Sequence, residues 1–102
     1  MTERRTWSAI KAQRADTPER RAGYERARLA HELGAKVRAL REARGLSQAE
    51  LARRMGTTQS VIARLELGGA EPRLDTLRRV CAVLDADLTV ELSPHGAAAA
   101  RA

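Results

Sequence analysis

Apolar residues recur along the chain at helical spacing in several runs, and near its end they switch to strict alternation. Tyr24, Ala27, Leu29, Ala30 and Leu33 form one stripe, and Val37 and Leu40 continue it beyond Gly34. Steps of three and four residues put such side chains on one face of an α-helix. Thr17-Pro18-Glu19 reads as its start: a hydroxyl cap, a proline at the first helical position and an acid in the first turn. Gly45 closes the run as a C-cap. Because Gly34 falls in the middle, the pattern predicts either one bent helix over 18–44 or two helices broken near Gly34. Ser47 and Glu50 have capping-box spacing for a helix that reaches Met55. Gly56 turns the chain, and Thr58 caps a helix over 59–66 with Ile62 and Leu65 on its buried side. After Pro72 one more stripe follows through Leu74, Leu77, Val80, Cys81 and Leu84. Cys81 lies on that stripe and reads as a small core residue.

The period then changes. In "DLTVEL", Leu88, Val90 and Leu92 alternate with Thr89 and Glu91, which predicts a strand ended by Pro94. A strand among helices has backbone donors and acceptors in need of a partner. The same strand of a second copy, paired antiparallel about a two-fold axis, is the simplest one. The sheet edge of a partner protein is the other. The organisation predicted is a basic segment over 1–16, disordered or partner-binding, a helical domain over 17–84, a dimerisation strand over 85–94 and a loose tail over 95–102.

Residues 47–67 have the spacing of a helix-turn-helix. Ala52 is small where two helices must meet, and Gly56 supplies the positive φ of the turn. With Ile62 and Leu65 buried, Gln59, Ser60, Ala63 and Arg64 face outward. Polar residues leading a short helix suit one whose N-terminal end enters a major groove. Gln59 matches the two groups of an adenine edge, Arg64 the O6 and N7 of guanine, and Val61 a thymine methyl. Ser60 and Thr58 suit a base edge or a phosphate. Gln48, at the start of the preceding helix, suits a phosphate held with backbone N–H groups. Arg44, Arg53 and Arg73 are further candidates for phosphate contact.

Charge agrees with an anionic partner and shows where the excess lies. The chain of 102 residues has a net charge of +6; residues 1–45 hold 12 basic and 6 acidic side chains, and residues 46–102 hold 7 of each. Trp7 and Ile10, three residues apart in the basic first segment, fold back onto the domain or anchor a partner protein. A single cysteine excludes an internal disulfide and fits a reducing cytoplasm. No run of about 20 apolar residues is present for a membrane span, and no signal peptide is legible. His31 and His95 have no acidic or cysteine companions at ligand or triad spacing. Neither an enzyme nor a cofactor or metal site is predicted, and with one Trp, one Tyr and no Phe there are few stacking platforms for RNA.

"GLSQAELARRMGTTQSVIARLELG" resembles the helix-turn-helix of the phage-repressor and Cro-like family, often called XRE. The likeness covers roughly residues 36–84. It implies an all-α, lambda-repressor-like domain of about five helices that reads a palindromic operator as a homodimer, here with Leu88, Val90 and Leu92 pairing across the dimer. It also implies a structural ion pair between Arg41 and Glu66. Two positions depart from the family pattern: Leu67 stands where Asn is frequent, and Arg73 where a Ser or Thr cap is usual. Outside the motif, the "W..I" segment, the "Y..A" helix and "LDADLTVELSP" are similar to antitoxins of the HigA type, and the closing strand to that of HipB. That likeness implies a toxin partner, a HigB/RelE-type mRNA endoribonuclease or a HipA-type kinase, with Trp7, Ile10 and Tyr24 contacting it, and repression of the chain's own operon. The alternative is a repressor of the same family with no toxin partner.

Overall fold

A computed structural model describes residues 17–95, which form four helices: α1 (Pro18–Ala43), α2 (Gln48–Met55), α3 (Gln59–Glu66) and α4 (Leu74–Leu84). Three of the four starts carry the side-chain cap that the sequence calls for. The Arg20 N–H donates to the Thr17 hydroxyl at 3.2 Å, with Pro18 opening α1. At α2 the capping box is complete: the Glu50 N–H donates to Ser47 Oγ at 3.0 Å, and the Ser47 N–H donates to Glu50 Oε1 at 3.2 Å. Those bonds from Ser47 hold the Glu50 carboxyl below the usual carboxylate range. The Val61 N–H donates to Thr58 Oγ1 at 3.3 Å to start α3. Only α4 begins without a side-chain cap, at Arg73.

All four helices end alike. A backbone N–H reaches back five residues to close the last turn: Leu46 to Arg41 O, Thr57 to Ala52 O, Gly69 to Arg64 O and Ala86 to Cys81 O. The residue inside each closure is left-handed, and three of the four are glycines; the fourth is Asp85, with φ 52°.

The core lies where α1, α2, α3 and α4 converge. Val37, Leu51, Ala52, Met55, Ile62, Leu65, Leu77, Val80 and Leu84 are buried, with Leu33, Leu40, Leu46, Val83 and Leu88 packed around them. Leu51, Ile62 and Leu84 are fully enclosed. On α1 the first buried residue is Ala30, so the helix meets the rest of the fold only from its midpoint onward. Its exposed N-terminal half is laced instead by Arg28, whose Nη2 and Nη1 bond Glu25 at 2.7 Å and Glu32 at 2.6 Å.

α1 runs unbroken through Gly34, the first of the two arrangements expected of residues 18–44, and the described residues form four helices. That glycine is a point of close approach: a methyl group there would lie 2.4 Å from Leu65 O and 2.6 Å from Glu66 O. The missing side chain lets α1 cross the end of α3 at backbone distance. The described residues also contain no strand. Among the described residues no neighbouring strand stands beside residues 86–94 to complete a ladder. Leu88 packs against the core, while Val90 and Leu92 are 59% and 93% exposed. Trp7 and Ile10 lie outside the described residues.

Candidate nucleic-acid interface

Helix α3 is held from behind and bare in front. Its buried side consists of Ile62, Leu65 and Glu66, and its outward side of Gln59, Ser60, Val61 and Arg64, all exposed, with Ala63 half-buried. Burial of Glu66 requires a partner. Arg41 supplies it as a two-pronged pair, Nε to Oε2 at 2.6 Å and Nη2 to Oε1 at 3.0 Å, with side chains 12% and 3% exposed. The third guanidinium nitrogen, Nη1, donates to Leu46 O at 2.8 Å. The pair therefore joins α1, the loop before α2 and the end of α3. Burial pushes the Glu66 carboxyl up, but the bonds from Arg41 and Gln48 outweigh it and hold the carboxyl below its ordinary range. The bond to Glu66 likewise keeps Arg41 firmly protonated.

Gln48 belongs to the same cluster. Its Nε2 donates to Glu66 Oε1 at 3.0 Å, which fixes the amide beside α3. The side-chain carbonyl and the second N–H of the amide remain for another partner, next to the open N–H groups of the first turn of α2. Arg38, Gln48, Ala63 and Leu67 line one concavity along this flank of α3. On the other flank Val61 and Arg64 line a second concavity with Glu71, Pro72, Arg73 and Thr76. Candidate phosphate contacts, Gln48 on one side and Arg73 on the other, thus bracket the helix whose outward face carries the candidate base contacts. Thr58 keeps its hydroxyl proton after accepting the capping bond. Arg53 is exposed on α2.

Arg44 has a different place. Its Nε donates to Leu84 O at 2.8 Å and its Nη2 to Asp85 O at 3.0 Å, so the side chain caps the end of α4. Arg79 does the same for α2 through Met55 O. Tyr24 is 75% exposed on the part of α1 that precedes the core, well apart in the chain from α3. Two residues of this surface escape sequence reasoning. Leu67, 79% exposed, continues the outward face of α3 past its last turn, one heptad after Ser60, and Arg38 stands beside Gln48. The step of seven was a usable signal for Leu67; nothing in the sequence separates Arg38 from its basic neighbours.

Among the described residues no group of three or more His, Cys, Asp or Glu side chains could hold a metal ion, and no helix is long and apolar enough to cross a membrane. The helix-turn-helix family model matches residues 37–90, which includes all of α2, α3 and α4. Over 54 residues, 53% of its length, the chain is 44% identical to a protein of Sinorhizobium fredii named as an uncharacterized HTH-type transcriptional regulator. The chain spans 28% of that relative, little more than a quarter. With its paired short helices, left-handed Gly56 between them and the buried Arg41–Glu66 clamp behind the second, the chain belongs to the helix-turn-helix family, of the XRE type.

Proposed function

We propose that the chain is a sequence-specific transcriptional repressor that binds operator DNA as a homodimer and acts without a toxin partner. One observation carries the reading: α3 turns a solvent-exposed polar face outward between two flanks that bear groups suited to phosphate. In this reading Gln59 bonds an adenine edge, Arg64 a guanine, and Val61 meets a thymine methyl, with Ser60 on a base or phosphate oxygen. Gln48, Thr58, Arg53 and Arg73 hold the backbone and set the register of the helix in the groove. Arg44 serves the end of α4 and is left out of this set. Leu88, Val90 and Leu92 join two copies, and such a dimer reads two half-sites about one turn of DNA apart.

The family match supports DNA binding, and the name of the Sinorhizobium fredii protein speaks of transcriptional regulation. Neither adds anything toward an antitoxin, so Tyr24 is given no toxin-binding role. Selection of duplexes from a random library by the tagged chain tests the proposal. A pseudo-palindromic site should emerge, and the chain should silence a reporter placed behind that site. Uniform recovery of the library, with binding abolished by moderate salt regardless of sequence, would overturn it.

A further inference from the structure

Gly68 and Gly69 follow α3 as a pair, but only the first needs glycine for a left-handed backbone. Gly68 is left-handed, with φ 72°, and Gly69 is not among the left-handed residues. What singles out Gly69 is the side chain lying across it. A methyl group on Gly69 would sit 2.8 Å from Arg64 Cγ, 3.3 Å from Arg64 O and 3.6 Å from Arg64 Nε. The closure of α3 enforces this contact, since the Gly69 N–H donates to Arg64 O at 2.9 Å and brings the two residues together. The Arg64 side chain therefore runs through the space that a side chain on Gly69 would need.

We propose that Gly69 is a positioning residue for Arg64, holding open the space that aims its guanidinium from the outward face of α3. The inference rests on the reading of α3 as the DNA-reading helix and adds a determinant of its specificity. Cγ is near the root of the arginine side chain, so a methyl group in that space forces a different χ1 or χ2. A change of rotamer so close to the backbone swings the guanidinium far from its first position. It costs the fold little, because Arg64 is exposed and its guanidinium has no ion-pair partner among the described residues. A bidentate contact to guanine depends on both distance and plane, and the swing removes it.

The test is a double-mutant cycle on the selected duplex, read by fluorescence anisotropy, with Gly69→Ala, Arg64→Ala and the pair. Arg64→Ala should weaken binding about tenfold to a hundredfold, as loss of one bidentate base contact does. Gly69→Ala should weaken binding by a comparable factor in the wild-type background and by nothing once Arg64 is gone. Far-UV circular dichroism should show the same melting temperature for Gly69→Ala and wild type. If Gly69→Ala unfolds more readily, removing Arg64 should restore the melting temperature, because the obstructing stem is then absent. Equal losses in both backgrounds would mean that Gly69 acts through the backbone, and no loss in either would mean that it acts on nothing; both outcomes overturn the inference while leaving α3 as the reading helix. Unchanged binding by Arg64→Ala would instead remove the base-reading role of Arg64, and the positioning role with it.

Discussion

Replacing Gly34 with alanine tests whether the recognition helix is seated by backbone contact with α1. In an open helix the change stabilises, because alanine is favoured over glycine by about 1 kcal/mol. Here the added methyl meets Leu65 O at 2.4 Å, Glu66 O at 2.6 Å and the Glu66 carbonyl carbon at 2.9 Å. All three atoms are backbone, so no side-chain rotation relieves the clash and the helices must separate. Overpacking of this kind costs about 1–3 kcal/mol. The upper half of that range applies, since the shift also strains the 2.6 Å bond from Arg41 to Glu66. After the helix gain is subtracted, a net loss of about 1–2 kcal/mol is expected, a fall in Tm of roughly 4–16 °C for a domain of this size. Gly23→Ala is the control in the same helix. Its methyl would be 3.7 Å from the nearest atom, Arg26 Nη2, an ordinary contact. That variant should match or exceed wild type, gaining up to about 1 kcal/mol. Urea and thermal unfolding followed by circular dichroism measure both. Gly34→Ala as stable as wild type would refute the close crossing of α1 and α3 and the seating of α3 that depends on it.

Other consequences concern the buried pair, the end of α4 and the proposed dimer. Arg41→Ala leaves the Glu66 carboxylate enclosed without its main partner, and a loss of about 3–5 kcal/mol is expected in denaturant titration. Because the folded Glu66 carboxyl titrates below its unfolded value, its contribution is complete above the unfolded value and fades as pH falls through the lower folded one. Stability measured against pH should therefore drop more steeply in acid for wild type than for Glu66→Gln; parallel curves would count against the shift. Asp85→Gly removes the left-handed non-glycine residue at the end of α4, and a gain of about 0.5–1 kcal/mol is expected, with a lower Tm as the contrary result. Val90→Pro deletes a backbone donor from the segment assigned to pairing and should turn a sedimenting dimer into monomer; a dimer that persists would sink that mode of pairing.

The helix starts were legible because each is a local event. Thr17, Ser47 and Thr58 bond a backbone N–H three residues on, and nothing distant is needed to recognise them. The outward face of α3 was legible for the same reason, since Ile62 and Leu65 fix its buried side. What the sequence hid was tertiary. Gly34 looks like a break in a helical stripe, and only the approach of Leu65 O and Glu66 O reveals what its missing side chain admits. Arg44 looks like any arginine beside a DNA-binding motif until the end of α4, forty residues on, presents its carbonyls. The alternation of Leu88, Val90 and Leu92 reads as a strand, yet pairing needs a second edge, and the helices of this chain offer none. Arg73 at the start of α4 made that boundary hard to foresee, and the helix begins after it without a side-chain cap. Hydrophobic spacing over Leu77, Val80 and Leu84 was sufficient to fold it there.

The central claim is that the outward face of α3 reads base sequence. The most direct measurement repeats the selection from random duplexes with wild type, Gln59→Ala and Arg64→Ala, and compares the enriched sites position by position. Each substitution should relax preference at its own position in each half-site, an adenine for Gln59 and a guanine for Arg64, at a cost of about 1–3 kcal/mol there, and leave the other positions unchanged. Identical enriched sites from all three proteins would contradict the claim and place sequence recognition elsewhere on the molecule.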